Sequence, residues 1–475
     1  MATDQTMIGR NPDGSSIQVG DLPASYSYNG PLGQVDTITY GPDDSGNFYA
    51  IKLVYSGTTL SPSQPNAPKL ARHIKEHGGL NLFKFPRSGP QRIMRQSRQS
   101  TATGFWAAAL AGPGSAGANW HCQTVAHRKF YGVELGFSNP TGSSITFDQI
   151  AVAATADPTS SFITPNGGGA WTVKGALTVT ATGSASAPGF GTTGFIPLQS
   201  IDRTDGGKYP AWMWRVYTSG GIPSYSNYGS DFAAHWDDEN STWPLKCANN
   251  FGGDYTSTNQ STFTSTTRIG IIVPTMWRPY YDTPGIMVLG IGDSIAGGDY
   301  AESGVPLRQS YLYRAVRLLQ DRGLNITHVN CGQSGNTTTQ FAARALLAID
   351  FYRPDIVVLP VWTPNDSPLA VQADFDAEWY RIMQIADYAL ASGAQVMLVT
   401  PTPYTYNTTL DALRLRQRDR ALASGFTCLD LEPITSDRAT PARWLTGYSA
   451  DGTHPLKIAN IAISTQCANT ILTML

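Results

Sequence analysis

The chain has 475 residues, enough for about three domains, with a formal net charge of −2 and only 14% charged residues. That near-neutral balance offers no global field to recruit nucleic acid or an anionic membrane surface, and no apolar run approaches the ~20 residues of a membrane helix. Low charge together with 47 Gly and 31 Pro favours a loop-rich, β-rich chain over a helical one.

The chain opens on MATDQTMIGRNPDG, polar and without an apolar h-region, so no signal peptide is expected. Residues 1–65 carry short alternating runs, VDTITY and FYAIKLVY, which read as a small β unit. SPSQPNAP, Ser61 to Pro68, reads as a linker.

Residues 66–282 read as a second β-rich domain, a sandwich or jelly roll. YGVELGF, AWTVKGALTVTATGS and RIGIIVP are its clearest strands, and the Gly/Ser/Thr/Asn stretches between them are too long for tight hairpins. Eight of the eleven Trp precede residue 283. A sugar-stacking role for them competes with ordinary core packing, which aromatics dominate. HIKEH, His73 to His77, has the spacing of an inverted zinc-protease motif but lies beside the linker without a further ligand, so a solvated helix face is the better reading. HWDDEN, His235 to Asn240, clusters carboxylates that suit calcium; a polar loop explains it as well. The basic run Lys84, Arg87, Arg92, Arg95 and Arg98 reads as a surface face. The five cysteines, Cys122, Cys247, Cys331, Cys428 and Cys467, form no CxxC, so buried free thiols are expected rather than a disulfide framework or zinc site.

From residue 283 to 475 the texture changes. IMVLGIG is a short apolar run bounded by glycine; LRQSYLYRAVRLLQDRG then has helical spacing and a glycine stop. Strands ITHVN, DIVVLPV, QVMLVT and FTCLDL alternate with helical stretches TTTQFAARALLAIDF, FDAEWYRIMQIADYALASG and TLDALRLRQRDRALASG, and a last helix runs from about Pro455. This alternation predicts a five-stranded parallel sheet of flavodoxin-like order with helices on both faces. Sites in such sheets lie outside the carboxyl ends of the strands.

That rule selects four loops: Asp293-Ser294 after the first strand, NCGQSGNTT after the second, WTPND after the third and DGTHP after the fifth. Ester hydrolysis needs an activated hydroxyl, a base, a group that orients the base, and donors for the oxyanion. Of the two histidines in this region, His328 lies inside a strand and His454 in a loop three residues after Asp451. That spacing lets the Asp451 carboxylate reach Nδ1 and leaves Nε2 for Ser294. Asn365 and the Gly335 and Ser294 backbone amides supply oxyanion donors, and Trp362 and Thr363 stand beside them as substrate contacts. No GxSxG elbow or P-loop occurs.

These four blocks, GDS at Ser294, GQSGNTT at Gly335, TPND at Asn365 and DGTH at His454, resemble those of the SGNH hydrolases, or GDSL esterases, over roughly residues 285–475. The resemblance implies a flavodoxin-like fold, a Ser-His-Asp hydrolase without metal or other cofactor, and mostly small acyl-ester substrates. Two positions depart from the family: Thr363 stands where glycine usually precedes the asparagine by two residues, and Ile295 replaces the leucine of the first block. DQTMIGRNPDGSSIQVGDLPASYSYNG is similar, over about sixty residues, to the start of bacteriophage structural proteins.

The expectation is a carbohydrate O-acetylesterase acting on an acetylated poly- or oligosaccharide, with extracellular or virion-associated use and a homo-oligomer or virion partner. Cytoplasmic use, a lipid or aryl esterase, and a structural or adhesion protein with a vestigial hydrolase domain stay open.

Overall fold

The computed structural model describes strand backbones between Met7 and Thr59 and from Ala109 onward, and side chains over most of residues 126–220 and 276–475. The longest interruptions within those two side-chain spans are 157–170 and 299–309. The linker, HIKEH, the basic run, HWDDEN and RIGIIVP lie outside the described residues.

The described β-rich part is antiparallel. Near the start, VDTITY and FYAIKLVY fall on the paired strands Gly33–Pro42 and Phe48–Tyr55. Further on, a five-stranded sheet runs Thr172–Val173, Gln149–Thr155, Ala211–Thr218, Ala118–Val125, Lys246–Phe251. In a second sheet, Phe130–Asn139 is paired by Gly189–Thr192, Ile196–Pro197 and Met276–Tyr281. Rings from both sheets meet: Phe130 lies 6.4 Å from Trp212, and Trp214 5.1 Å from Trp277, centroid to centroid. Trp212, Trp214 and Trp277 are fully buried, so these three serve the core and offer no face to a sugar. The alternation in AWTVKGALTVTATGS is not one strand. It is divided into Thr172–Val173 and Leu177–Val179, with Gly175 between them at φ +87, a left-handed conformation that stops a strand. Cys331 and Cys467 are buried free thiols and Cys428 is half-buried, while the sheet register sets Cys122 opposite Cys247.

The C-terminal region has the five-stranded parallel sheet expected of it. Its elements are β1 (Ile286–Gly292), α1 (Ser294–Gly297), α2 (Tyr311–Asp321), β2 (Ile326–Gly332), α3 (Thr338–Tyr352), β3 (Ile356–Pro360), α4 (Gln372–Ala391), β4 (Gln395–Val399), α5 (Thr408–Ala423), β5 (Thr427–Leu429), α6 (Glu432–Thr435) and α7 (Lys457–Leu472). The order is β2-β1-β3-β4-β5, all parallel. Strand alternation divides the apolar residues between two layers. Val288, Val358 and Met397 pack with Leu312 and Leu319 of α2 and Ile463 and Ile471 of α7. Met287, Leu289 and Leu359 pack on the other face with Phe341 and Ala345 of α3 and Ile382 and Ile385 of α4. Local chemistry starts α3: Thr337 caps it, and Gln340 returns a bond to the Thr337 amide. The one-turn α6 starts on Glu432 and Pro433 but has no side-chain cap.

The two regions share one hydrophobic core, running from the Trp212–Trp214–Trp277 cluster to Phe351 and Tyr352 at the end of α3. Phe351 meets Phe190 at 6.0 Å, edge to face, and the Arg278 guanidinium lies 4.4 Å from its ring centre. Arg278 is neutralised by Glu134, and both side chains are 7% exposed. Burial works against the Glu134 charge, but Arg278 and the Tyr280 hydroxyl hold its carboxyl below the usual range. These contacts sit at the amino ends of the parallel strands, since α3 ends there and Gly285, just ahead of β1, adjoins Arg128. Ser294 stands at the opposite, carboxyl end of β1, roughly 20 Å away at the ~3.3 Å rise of a strand residue. The described β-rich part is therefore a platform behind the sheet rather than a wall of the crevice.

Candidate active site

Four loops converge at the carboxyl ends of β1, β2 and β3 and at the turn before α7. The first begins with Asp293, whose Oδ1 accepts the Ile295 N–H at 2.8 Å and so caps α1. Capping makes Ser294 the first residue of that helix, with its backbone N–H among those an α-helix leaves unpaired. Gly298, in the left-handed conformation at φ 84, ends α1 after one turn. Gly332 lets this turn approach β2: a Cβ there would fall 2.4 Å from the Gly297 nitrogen. Asn330 ties the same turn down by donating to the Ala296 carbonyl at 2.9 Å.

The DGTH turn is built by Asp451. Its Oδ1 accepts the N–H groups of Thr453 and His454, each at 2.8 Å, while Oδ2 lies 2.6 Å from His454 Nδ1. Trp444 donates its indole N–H to the Gly452 carbonyl at 3.0 Å, and the Ser449–Pro455 bridge closes the neck of the loop. His454 Nε2 then reaches Ser294 Oγ at 2.9 Å. Partial burial raises the Asp451 pKa, but the His454 and Thr453 N–H groups and the imidazole outweigh it and hold the carboxyl well below the usual range. Asp451 is thus ionised at neutral pH and fixes the tautomer with the proton on Nδ1.

The second and third loops interlock. Gly335 has φ +73, which suits glycine. Asn365 Nδ2 donates to the Asn336 carbonyl and to Thr363 Oγ1, each at 3.1 Å. An amide has two hydrogens, so Asn365 must exchange one of these bonds to serve an oxyanion. The Ser294 and Gly335 amides have no acceptor among the described residues. Thr363 Oγ1 donates to Asp293 Oδ2 at 2.6 Å. Asp293 is fully buried and its pKa is raised by that burial.

Of the residues expected at the site, Ser294, Asp451, His454, Gly335 and Asn365 come together. Trp362 and Thr363 do not stand as surface contacts. They are 3% and 0% exposed, and the Trp362 ring packs with Phe375 and Leu413. The two residues continue the chain inward from β3, so neither presents a face for a sugar ring. His328 is buried in β2, edge to face with Tyr313 at 5.3 Å, and desolvation pushes its pKa down to about 4. Residues not anticipated are those that brace the loops. Asp366 accepts from the Thr338 amide at 3.1 Å and from its hydroxyl, and Arg381 donates to the same hydroxyl at 2.6 Å. Beneath them, burial, reinforced by Asp366, pushes the Glu378 carboxyl up to about 10. Long-range partners of this kind leave no spacing pattern in a sequence.

Residues 291–457 match the model of the GDSL-like Lipase/Acylhydrolase family, and this C-terminal region is a GDSL-type hydrolase domain. None of the curated proteins matches the chain. Among solved structures, similarity extends to a lipolytic protein of the G-D-S-L family from Desulfitobacterium hafniense, with 19% identity, 39% of this chain and 99% of that one covered, and a TM-score of 0.33. A lipase/acylhydrolase from Enterococcus faecalis shares 20% identity over 40% of this chain and 97% of its own, with a TM-score of 0.32. An acetyl-xylooligosaccharide esterase from Geobacillus shares 21% identity over 39% of this chain and 94% of its own, with a TM-score of 0.31.

Proposed function

We propose that the chain is a serine esterase that removes small acyl groups, mainly acetyl, from a polysaccharide. The observation that carries the esterase reading is the Asp451–His454–Ser294 relay, with contacts of 2.6 and 2.9 Å. His454 Nε2 takes the Ser294 hydroxyl proton as Oγ attacks the ester carbonyl, and Asp451 stabilises the imidazolium that forms. The oxyanion is received by the Ser294 and Gly335 amides and by Asn365 once its amide turns toward it. Collapse expels the alcohol with the proton returned by His454. Water then repeats the sequence on the acyl-enzyme.

The small-acyl part rests on the resemblance to the SGNH hydrolases, with Ser294 itself only 3% exposed. The carbohydrate reading rests on a β-rich region, read as a sandwich, joined to the hydrolase domain through a shared core; the buried Trp212, Trp214 and Trp277 take no part in it. We read the opening stretch, on its similarity to bacteriophage structural proteins, as fitting a virion-associated enzyme acting on cell-surface glycan. Release of acetate from acetylated bacterial and plant glycans, lost in Ser294→Ala, is the test. Absence of ester hydrolysis by the wild type sinks the esterase reading; hydrolysis without acetate release from any glycan sinks the carbohydrate part. The acylhydrolase family match favours one second reading, a lipid or aryl esterase, which a preference for long-chain over acetyl p-nitrophenyl esters would establish.

A further inference from the structure

The first loop carries the nucleophile and the third carries an oxyanion donor, and one side chain joins them. Thr363 Oγ1 donates its one proton to Asp293 Oδ2 at 2.6 Å, with the Asn336 carbonyl a second, longer acceptor at 3.2 Å. The same hydroxyl oxygen accepts from the Asn365 backbone amide at 3.3 Å and from Asn365 Nδ2 at 3.1 Å. The other oxygen of that carboxylate, Asp293 Oδ1, caps the helix that begins at Ser294. Thr363 is 0% exposed, so no water competes for these bonds. A glycine here would leave the buried Asp293 oxygen without this donor and the Asn365 amide without this acceptor, each a costly omission in a dry site.

We propose that Thr363 is a positioning residue for catalysis, whose hydroxyl locks the Asn365 amide to the Asp293 cap so that the nucleophile and the oxyanion donor hold one fixed separation. As a β-branched residue Thr363 has a restricted χ1, which helps to hold the hydroxyl where it is. Transition-state stabilisation depends on donors held in place before charge develops. The bond to Thr363 also sets which way Asn365 Nδ2 swings when it gives up the Asn336 carbonyl: it pivots on Thr363 Oγ1. The inference rests on the esterase reading, and wild-type hydrolysis that Ser294→Ala removes establishes that reading separately.

The test is steady-state hydrolysis of p-nitrophenyl acetate by the full chain. Thr363→Val keeps shape and removes the hydroxyl; it lowers kcat by about 10- to 100-fold, the scale of a misplaced catalytic group, with KM within about twofold. Thr363→Ser restores kcat to within about threefold, because the hydroxyl network is regained. In an Asn365→Ala background, Thr363→Val adds less than about twofold, as expected of residues that act as one unit. Should Thr363→Val fail to fold, Thr363→Ala and Thr363→Ser carry the same comparison. An active wild type with unchanged kcat in Thr363→Val overturns the proposal while leaving the esterase intact. So do a Ser variant as impaired as the Val variant, or fully additive losses with Asn365→Ala.

Discussion

His454 Nε2 lies 2.9 Å from Ser294 Oγ, across 160 residues of chain. Neither loop alone brings the two together. β1 delivers Ser294 to the carboxyl edge of the sheet, and α7, packed against α2 on one face, holds the DGTH turn at that edge. The contact has the length a proton transfer needs.

Ser294→Ala is expected to lower kcat for p-nitrophenyl acetate by at least about 10³-fold. The side chain is small and makes no structural bond beyond His454, so the melting temperature stays within experimental scatter. Hydrolysis that survives the substitution refutes the assignment of the nucleophile.

Asp451→Asn keeps the turn's shape but presents an amide where Nδ1–H needs an acceptor. A kcat loss of about 10³- to 10⁴-fold is expected. The folded pKa of Asp451 is depressed, so its stabilising contribution is present above the ordinary carboxyl range and disappears as pH falls through the lower, folded value. Between pH 7 and pH 5 the wild-type carboxylate stays ionised. A urea-midpoint series that shows Asp451→Asn and wild type diverging only above pH 8 would contradict this.

Glu378 moves stability the other way. Its pKa is raised to about 10 by burial, so from the ordinary carboxyl range up to about pH 10 the folded chain holds a proton that the unfolded chain has lost. Stability therefore falls as pH rises through that window. Glu378→Gln removes the ionisation, and its melting temperature is expected to exceed that of the wild type at pH 9 and to match it more closely at pH 5. Equal pH slopes in the two proteins would show that Glu378 is already charged.

Gly335→Ala meets no steric obstacle, since nothing lies within 4 Å of the added Cβ, but its φ of +73 is unfavourable for alanine. A stability loss of about 1 kcal/mol is expected, together with a larger proportional fall in kcat as the amide turns away from the oxyanion position. A variant with wild-type kcat would remove Gly335 from the hole.

Phe351→Ala opens a cavity where the β-rich region meets α3. Removing a buried Phe costs about 3–5 kcal/mol, and because one core spans both regions, calorimetry should show a single transition displaced to lower temperature. Below that transition kcat is unchanged, since Ser294 lies at the other end of β1. Two separated transitions in the wild type would mean that the regions unfold independently.

Much of the C-terminal domain was legible because its information is local. Apolar runs of strand length alternate with helical periodicity, Thr337 and Gln340 announce the start of α3, and a parallel sheet places polar strand-end loops on one edge. The Asp451–His454 bond follows from a three-residue spacing in one turn. Thr363 is the clearest contrast. In the sequence it is an odd residue where glycine is usual, and it reads as a substrate contact beside Trp362. Only the packing of β3 against β1 shows that both side chains point inward, Trp362 onto Phe375 and Leu413 and Thr363 onto Asp293. The position of the β-rich region was equally hidden. Its strands and tryptophans can be read from alternation and composition, but whether it flanks the crevice or stands behind the sheet depends on the contact of Phe190 and Arg278 with Phe351. The sequence by itself determined most elements of the C-terminal region, the β/α alternation that implies a parallel sheet, and the chemistry available at the strand ends, because these depend on neighbours a few residues apart. Tertiary structure alone decided which side chains face the crevice and which brace it, because burial is set by residues tens to hundreds of positions away.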